Sequence, residues 1–509
     1  MTAIAPTYEE LLTEVAALRI NANISKANES FLKEKVVDLE GQLEWFRKQF
    51  FGSKSERLIS DSPQQLVFFP EMAPVEKQTK EKIPGYERNK GKPGEASIKL
   101  PANLPIERIQ IDLPAEEKVC KVTGELLVKI GEEITRKLAH RPGSFYIKEI
   151  VRPKYAAPNQ KEAGVRIAPL PTTLLTRCLA DESLLASILV AKFGDHLPLY
   201  RLSEILGREQ INIPRQVLSD WVVRAGKALY PLYEEIGKQV LQSGALWMDE
   251  TPLDMQSKGK GSLHQGYMWT MCGGEKAPYL LYRFFKDRKH RNVETLLGGY
   301  TGLLHTDKYE AYLKQAKKEG VIWCPCWAHV RRKFIEAETK DPFRDWILEK
   351  IQSLFLLERR AWESSPEERL EVRLQEEVPI IDELIDKVKE KLINGQLLPK
   401  SKLREALGYF CGLIPYLKNY TKYPEARLDN NVAERAIRPL AIGRKNWLFV
   451  GSEGGAEAAA VALSLIQTCR SLQINPRDYL EDVMRRLLDH PANRLNELLP
   501  DKWAKSQNK

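Results

Sequence analysis

The chain has 509 residues, of which 43% are hydrophobic and 29% are charged. This length predicts about three or four domains, and the composition excludes a wholly disordered or collagen-like protein. Lys and Arg number 78 against 69 Asp and Glu. The resulting net charge of +9 is mild for this size, so it permits a polyanionic partner without requiring one.

Cysteine use and hydropathy indicate a cytoplasmic protein. The seven cysteines are scattered without a framework spacing, as expected of free thiols in a reducing compartment. The N-terminal residues MTAIAPTYEE lack the basic and apolar stretches of a secretory signal. The apolar run from Ala458 to Cys469 is too short to span a bilayer, so no membrane partner is expected.

The first hundred residues predict a zipper helix followed by a linker. Within residues 8–58, apolar residues recur at the a and d positions of a heptad, most regularly from Leu32 to Phe50. We expect a coiled-coil helix that joins two chains through residues 32–50, and the alternative is an amphipathic helix packed on its own domain. Residues 59–100, which are rich in Pro, Lys and Glu, predict a linker.

The next two segments predict a β-rich module and a helical region. Alternating runs such as ERIQIDL and SFYIKEIV place the β module at 101–165. Residues 171–235 contain two helical patterns, and a helix starting near Pro214 would carry Arg215 and Gln216. This layout is typical of a helix-turn-helix unit that binds DNA. Two helices joined by a short turn are equally common as plain scaffolding, so both interpretations stay open.

Residues 244–334 predict a mixed α/β core. The runs ALWMDET, GYMWTMCGG and PYLLYRFFK are closely spaced, which favours an antiparallel meander. The runs GLLHTDKY and VIWCPCWAHV follow, each after a helical stretch. This is the strand order of an RNase H-like fold. Residues 335–427 predict a helical insertion, 428–465 the final part of the core, and 466–509 a helical tail, which makes the chain a multidomain α/β protein.

Three acidic residues form the candidate chemical site. Asp249 and Asp307 each close an apolar strand, and two such strands side by side would place both carboxylates at one sheet edge. Their repulsion requires a cation, and Mg²⁺ suits carboxylate oxygens and a phosphate substrate. Either residue could instead begin a turn. Glu434 would lie in the first turn of a helix starting at Asn430 or Asn431. There it is either a metal ligand or part of a capping box.

Basic and aromatic side chains surround these positions in the sequence. Such groups bind a DNA backbone, and they would offset the repulsion between the carboxylates and a phosphate strand. Solvated surface charge is the alternative. The candidate DNA-binding residues are Arg215, Gln216, Arg331, Arg332, Lys333, Arg435, Arg438, Arg444 and Lys445.

Four motifs in order resemble the transposases of the IS66 family of bacterial insertion sequences: WMDET, LHTDKYEAY, CWAHVRRKF and LDNNVAERAIRPLAIGRKNWLFVGSEGG. The resemblance covers nearly the whole chain and implies a DDE transposase with an RNase H-like core. Its catalytic and metal-binding triad would be Asp249, Asp307 and Glu434, which would hold two Mg²⁺ ions, with Mn²⁺ as a substitute. The implied reaction is cleavage and strand transfer by two-metal phosphoryl transfer. The implied partners are double-stranded DNA, as terminal inverted repeats and target, and accessory proteins of the element.

The chain departs from this resemblance in one module. Family members usually carry four zinc-binding cysteines upstream of the core. Here Cys120 matches the first, whereas Thr123, Ala157 and Gln160 occupy the other positions. One thiolate cannot form a four-coordinate structural site, so we expect no structural zinc. The loss also allows a second interpretation, a non-catalytic DNA-binding or regulatory protein derived from a transposase.

Cys324, Cys326 and His329 are a second candidate zinc site. A buried strand with incidental thiols explains the two cysteines better. The spacing Cys326-x-x-His329 also resembles a motif that several DDE families carry between the second Asp and the Glu. That resemblance would place Cys326 and His329 beside the active site as supporting residues.

Overall fold

Two β-sheets organise the part of the chain that the computed structural model describes. It covers residues 104–507 except 120–125, 142, 157–164, 258–261, 338–340, 395–396 and 399. The predicted zipper, the predicted linker and the four positions aligned with the zinc module lie outside the described residues. Gly94–Lys509 belong to one compact unit.

The first sheet occupies the segment where alternation predicts strands. It comprises β1 (Ile106–Gln110), β2 (Val128–Arg141), β3 (Ser144–Ala156) and β4 (Val165–Ile167). β3 pairs in parallel with β1 and antiparallel with β2 and β4. Leu138 in β2 exchanges backbone hydrogen bonds with Leu179 and Asp181, which ties this sheet to the helix that follows.

Four helices precede the central sheet, and they include the predicted pair. They are α1 (Glu182–Leu189), α2 (Leu199–Arg208), α3 (Arg215–Ala228) and α4 (Tyr230–Leu241). α3 begins after Pro214, a residue that cannot donate to a preceding turn, and Arg215 and Gln216 lie exposed in its first turn. Gly226 of α3 lies so close to a later helix that an added Cβ would come within 2.6 Å of the Ala458 Cβ.

The central sheet is mixed and has five strands. They are β5 (Ala245–Gln256), β6 (Leu263–Gly273), β7 (Leu280–Phe285), β8 (Gly302–Thr306) and β9 (Val321–Pro325), in the order β7-β6-β5-β8-β9. β5, β6 and β7 form the predicted antiparallel meander, and β8 and β9 run parallel to β5. Helices α5 (His290–Leu297) and α6 (Glu310–Gln315) make the two crossovers.

Two details of the core differ from the prediction. β5 continues to Gln256, because β6 pairs with it as far as that residue. Asp249 therefore lies within the strand and does not end it. The run VIWCPCWAHV is a strand only as far as Pro325, and its second half begins helix α7 (Trp327–Glu336). An apolar run of this length does not distinguish a buried strand from a buried helix.

The segment 335–427 is helical, as its pattern predicts. It contains α8 (Pro342–Ala361), α9 (Pro366–Val372), α10 (Val378–Asn394) and α11 (Lys402–Cys411). A π-helical turn over Arg373–Glu377 joins α9 to α10. Ser365 and Glu368 form a capping box at the start of α9, which satisfies backbone donors that the helix itself leaves free.

The C-terminal helices are α12 (Asn431–Trp447), α13 (Glu453–Ser471), α14 (Pro476–Arg486) and α15 (Pro500–Gln507). α13 covers the free edge of the central sheet. Ser464 Oγ accepts a hydrogen bond from the Tyr282 N–H at 2.9 Å, and Thr468 Oγ1 accepts one from the Leu280 N–H at 3.0 Å. These hydroxyls satisfy the unpaired donors of an edge strand. Within the described residues, no helix combines the length and apolar character needed to cross a membrane.

Candidate active site

Asp249 and Asp307 lie on neighbouring parallel strands where the two strands separate. β5 and β8 pair in parallel as far as Trp247, which lies opposite His305. Two residues further on, the same register sets Asp249 opposite Asp307. β8 has ended at Thr306, whereas β5 continues along β6 alone. The carboxyl ends of parallel strands are where α/β sheets place ligand sites.

The surroundings of Asp249 disfavour its ionised form. Burial, followed by repulsion from Glu250, Asp307 and Glu434, raises the pKa of the Asp249 carboxyl to about 8. The Glu250 N–H donates to its Oδ1 at 2.9 Å, which offsets only part of that cost. Both other predicted carboxylates therefore disfavour ionisation of Asp249, and a cation beside it would favour the ionised state.

Asp307 uses only one of its oxygens in a turn. Its Oδ1 accepts a hydrogen bond from the Tyr309 N–H at 3.0 Å, the contact expected of an Asp that begins a turn. Among the described residues, no hydrogen bond reaches its Oδ2. The turn and a ligand role are therefore compatible in the same side chain.

Glu434 lies in the first turn of α12 without forming the capping box. Asn430 is the N-cap and makes no side-chain capping bond, while the Asn431 N–H donates to Asp429 Oδ1 at 3.1 Å. In the described part of the chain, Glu434 Oε1 is buried and has no hydrogen-bond partner. A buried carboxylate oxygen without a donor is costly. Its placement therefore matches a site for a bound group better than a helix cap.

Both predicted supporting residues lie beside Glu434. The Cys326 Sγ, a ring nitrogen of His329 and a Glu434 carboxylate oxygen all lie within 4.8 Å of one another, and His329 Nδ1 is 3.8 Å from Glu434 Oε1. Burial is the main cause that lowers the pKa of His329, so the imidazole is neutral at pH 7. Burial also raises the pKa of the Cys326 thiol to about 12, which makes it a poor thiolate ligand. Cys324 lies in β9, outside this cluster.

A short segment before α12 holds Glu434 against the sheet, and no pattern in the sequence predicts these contacts. The Asn430 Nδ2 donates to the Met248 carbonyl at 2.8 Å, and the Trp327 N–H donates to the Leu428 carbonyl at 3.1 Å. The Asn430 N–H also reaches the Cys326 Sγ at 3.2 Å. Residues 428–430 therefore connect β5, α7 and α12 at one point.

His305 has a structural role in the same region. Its ring stacks on Trp247 with centroids 4.6 Å apart, and burial lowers its pKa to about 3. Its Nε2 accepts the Arg427 N–H at 3.0 Å, so the ring proton resides on Nδ1, 3.3 Å from the Leu246 carbonyl oxygen. The neutral imidazole thus joins β8, β5 and the segment that leads to Glu434.

Two arginines of the helical insertion hold residues 423–426, which lead into that segment. Arg373 is fully buried and pairs with Glu358 at 2.5 Å. Its guanidinium also donates to the carbonyls of Tyr423 and Ala426 at 2.7 and 2.8 Å. Arg369 donates to the Pro424 carbonyl at 2.8 Å. The insertion therefore fixes the backbone a few residues before Glu434.

The predicted DNA-binding residues divide between three helices. Arg331, Arg332 and Lys333 lie on α7, the helix of His329. Arg435, Arg438, Arg444 and Lys445 lie on α12, the helix of Glu434. Arg215 and Gln216 lie on α3. Arg444 faces the sheet, where it donates to Thr251 Oγ1 at 3.1 Å and to the Pro252 carbonyl.

Comparison with known families identifies the chain. Residues 177–458 match the Transposase IS66 family. The chain belongs to the IS66 transposase family. Residues 464–500 match the IS66 C-terminal element, and residues 38–109 match an element described as Transposase C of IS166 homeodomain. The resemblance stated from the four motifs is therefore confirmed.

Relatives of this IS66-family chain occur in Sinorhizobium fredii (strain NBRC 101917 / NGR234). The uncharacterized protein y4hP is 31% identical over 92% of this chain and 89% of its own length. The uncharacterized proteins y4qI and y4jD are 30% and 28% identical, over 93% and 94% of this chain and 90% and 96% of their own lengths.

The homeodomain element supports DNA binding by this IS66-family chain. It spans the end of the predicted zipper and the whole of the predicted linker. Homeodomain helices read DNA in the major groove. The zipper part of this element shows a heptad repeat and the linker part is charged without periodicity, and neither pattern predicts DNA binding.

Proposed function

We propose that this chain is a DNA transposase that cleaves the ends of its element and joins them to target DNA, with Asp249, Asp307 and Glu434 as its catalytic carboxylates. The observation that carries the proposal is geometric: the parallel register of β5 and β8 sets Asp249 opposite Asp307, two residues beyond their last pair. Glu434 at the start of α12 adds to the repulsion that raises the Asp249 pKa. Membership of the IS66 transposase family supports the reaction class.

The core of the transposase is RNase H-like in this proposal. The support is the sheet itself, in which an antiparallel meander is followed by two parallel strands in the order β7-β6-β5-β8-β9. The first carboxylate lies on the central strand, the second follows its parallel neighbour, and the third lies on a helix after the insertion.

The carboxylate oxygens of the three residues are suitable ligands for divalent metal ions. Carboxylate oxygens are the ligands that Mg²⁺ and Mn²⁺ prefer. Burial holds the Asp249 pKa high in the absence of a cation, and Glu434 Oε1 has no donor in the described residues. Asp249, Asp307 and Glu434 would hold two ions. When bound, the ions supply an activated oxygen nucleophile and stabilise the charge that develops on the phosphoryl group.

Residues near the three carboxylates would bind the DNA and complete the site. Arg435 and Arg438 are exposed on the helix of Glu434 and would bind DNA phosphates. His329 is neutral and its Nδ1 lies 3.8 Å from Glu434 Oε1, so it borders that carboxylate without adding a positive charge. No covalent enzyme intermediate is needed, because water or a DNA 3′-hydroxyl supplies the attacking oxygen.

The test is cleavage of duplex DNA that carries the ends of the chain's own element, with Mg²⁺ or Mn²⁺. Asp249→Ala and Asp307→Ala should abolish cleavage and leave DNA affinity largely intact, because basic side chains supply the affinity. Asp254→Asn is the matched control, since this acidic residue lies on the same strand as Asp249 but outside the acidic site, and it should cleave normally. A wild-type chain that binds the ends but never cleaves them would favour the non-catalytic regulatory function.

A further inference from the structure

One face of α12 stays open to solvent from Glu434 to its end. Arg435, Arg438, Ile442 and Lys445 recur on it at helical spacing, and all four are exposed. In the described part of the chain, none of the three cations has an ion-pair or hydrogen-bond partner. From Ala436 to Ser452 the sequence contains basic residues and no acidic ones. An unpaired cationic stripe of this kind matches a phosphate backbone.

The stripe ends in two exposed apolar side chains. Leu448 is 64% exposed and Phe449 is 38% exposed. Leu448 has φ 64° and ψ −54°, and the Phe449 N–H donates to the Trp447 carbonyl at 2.8 Å. This is the strained, positive-φ form of the γ-turn, which a branched non-glycine side chain adopts only where the surroundings enforce it.

The surroundings of this turn do enforce it. The Leu448 N–H donates to the Arg444 carbonyl at 2.8 Å, which fixes the turn to the end of α12. On the other side, the Val450 N–H donates to the Asp254 carbonyl at 2.9 Å, and the Gln256 N–H donates back to the Val450 carbonyl at 2.9 Å. Both partners belong to β5, the strand of Asp249. The two apolar side chains are therefore held rigidly relative to the acidic site.

We infer that Leu448 and Phe449 form an apolar wedge that inserts between stacked bases of DNA bound along α12. Apolar side chains on a rigid support, next to cations that hold the backbone, are the features of proteins that unstack and kink DNA. The unpaired Lys445 beside the wedge, and the unpaired Arg438 further along the same stripe, select DNA as its occupant over a second copy of this basic surface. The inference rests on the proposed transposase function and adds a means of distorting the element end.

The length of α12 sets where the wedge acts. Leu448 is fourteen residues beyond Glu434, which corresponds to about 21 Å along a helix. DNA rises about 3.4 Å per base pair. A duplex that follows the stripe is therefore unstacked about six base pairs from the phosphate that is cleaved.

The experiment uses the full chain and element-end duplexes with 2-aminopurine at successive positions three to nine base pairs from the cut. Without divalent metal, binding should raise the fluorescence several-fold at about the sixth position and little elsewhere. Leu448→Gly should abolish the rise and unfold at an equal or higher temperature, because glycine relieves the positive φ. Phe449→Ala should reduce the rise. Leu374→Ala, an equally exposed apolar residue of the insertion, should leave the rise unchanged.

The outcomes separate the wedge from the catalytic proposal. An unchanged rise in Leu448→Gly, or bound DNA without a rise at any position, overturns the wedge even if the same DNA is cleaved when Mg²⁺ is added. A rise that depends on Leu448 without cleavage supports the wedge and contradicts the transposase. A wild-type dimer that Leu448→Gly converts to monomer shows a protein interface and overturns the wedge. A chain that does not bind the DNA contradicts both.

Discussion

The side-chain amide of Asn430 donates a hydrogen bond to the carbonyl oxygen of Met248, 2.8 Å away. This bond joins the residue before Asp249 to the N-cap of the helix that carries Glu434. Asn430 is buried, and its backbone N–H also donates to the Cys326 Sγ. The relative position of two of the proposed catalytic carboxylates therefore depends on a side chain for which no chemical role is proposed.

Asn430→Ala should reduce single-turnover cleavage at least tenfold and leave DNA affinity unchanged. The substitution leaves the Met248 carbonyl buried without a donor, a cost of roughly 1–3 kcal/mol, and it releases the start of α12. Raising the Mg²⁺ concentration should restore part of the activity, because the ligands remain present. Asn431→Ala is the control, since within the described residues the hydrogen bond of that side chain goes to Asp429 and not to the sheet. Normal cleavage by Asn430→Ala would contradict this role.

Arg373 links the insertion to the active site through the segment before Glu434. Arg373→Met leaves Glu358 buried without its cation, a change that destabilises proteins by roughly 3–5 kcal/mol. We expect Arg373→Met to unfold at a lower temperature. We also expect its cleavage rate to fall by more than the fraction of unfolded protein accounts for. Arg360→Met is the matched control, because Arg360 makes an exposed ion pair with Glu376 that contributes about 0–1 kcal/mol. Equal unfolding temperatures for Arg373→Met and Arg360→Met would contradict the stabilising role of Arg373.

The raised pKa of Asp249 predicts how the stability of the metal-free chain changes with pH. Its folded pKa of about 8 lies above the ordinary value of 3.8. The stability that its protonated form contributes is therefore complete below pH 4 and is lost as the pH rises through about 8. Asp249→Asn removes this titration. In EDTA, the variant should unfold at a much higher temperature than the wild type at pH 9, and the difference should be far smaller at pH 5, where only a small part of this stability has been lost. The same difference at both pH values would contradict the buried, protonated carboxyl.

The sequence predicts the acidic pair well and the support around it poorly. Alternation within each run and the order of the runs predict Asp249 and Asp307 on neighbouring parallel strands, and the register of β5 and β8 sets the two residues opposite each other. The contacts of Asn430 and Arg373 join segments that are distant in the chain, and no local pattern encodes them. The same limit explains why the start of helix α7 is predicted as a strand. Its first residues continue an apolar run, and only Cys326 at the N-cap, bonded to Asn430, marks the change from strand to helix.

The sequence leaves two interpretations of Glu434 open, a metal ligand or part of a capping box. A test of this carboxylate is therefore the most direct test of the proposed active site. Glu434→Gln keeps the size and helix propensity of the side chain and deletes its charge. The direct measurement is single-turnover cleavage of element-end DNA in Mg²⁺, together with the DNA dissociation constant and the unfolding temperature. We expect a rate loss of about a thousandfold or more, with unchanged DNA affinity and an equal or higher unfolding temperature. Near-normal cleavage by Glu434→Gln would contradict the account and direct the search for the third ligand to Asp429, Glu425 or Glu453.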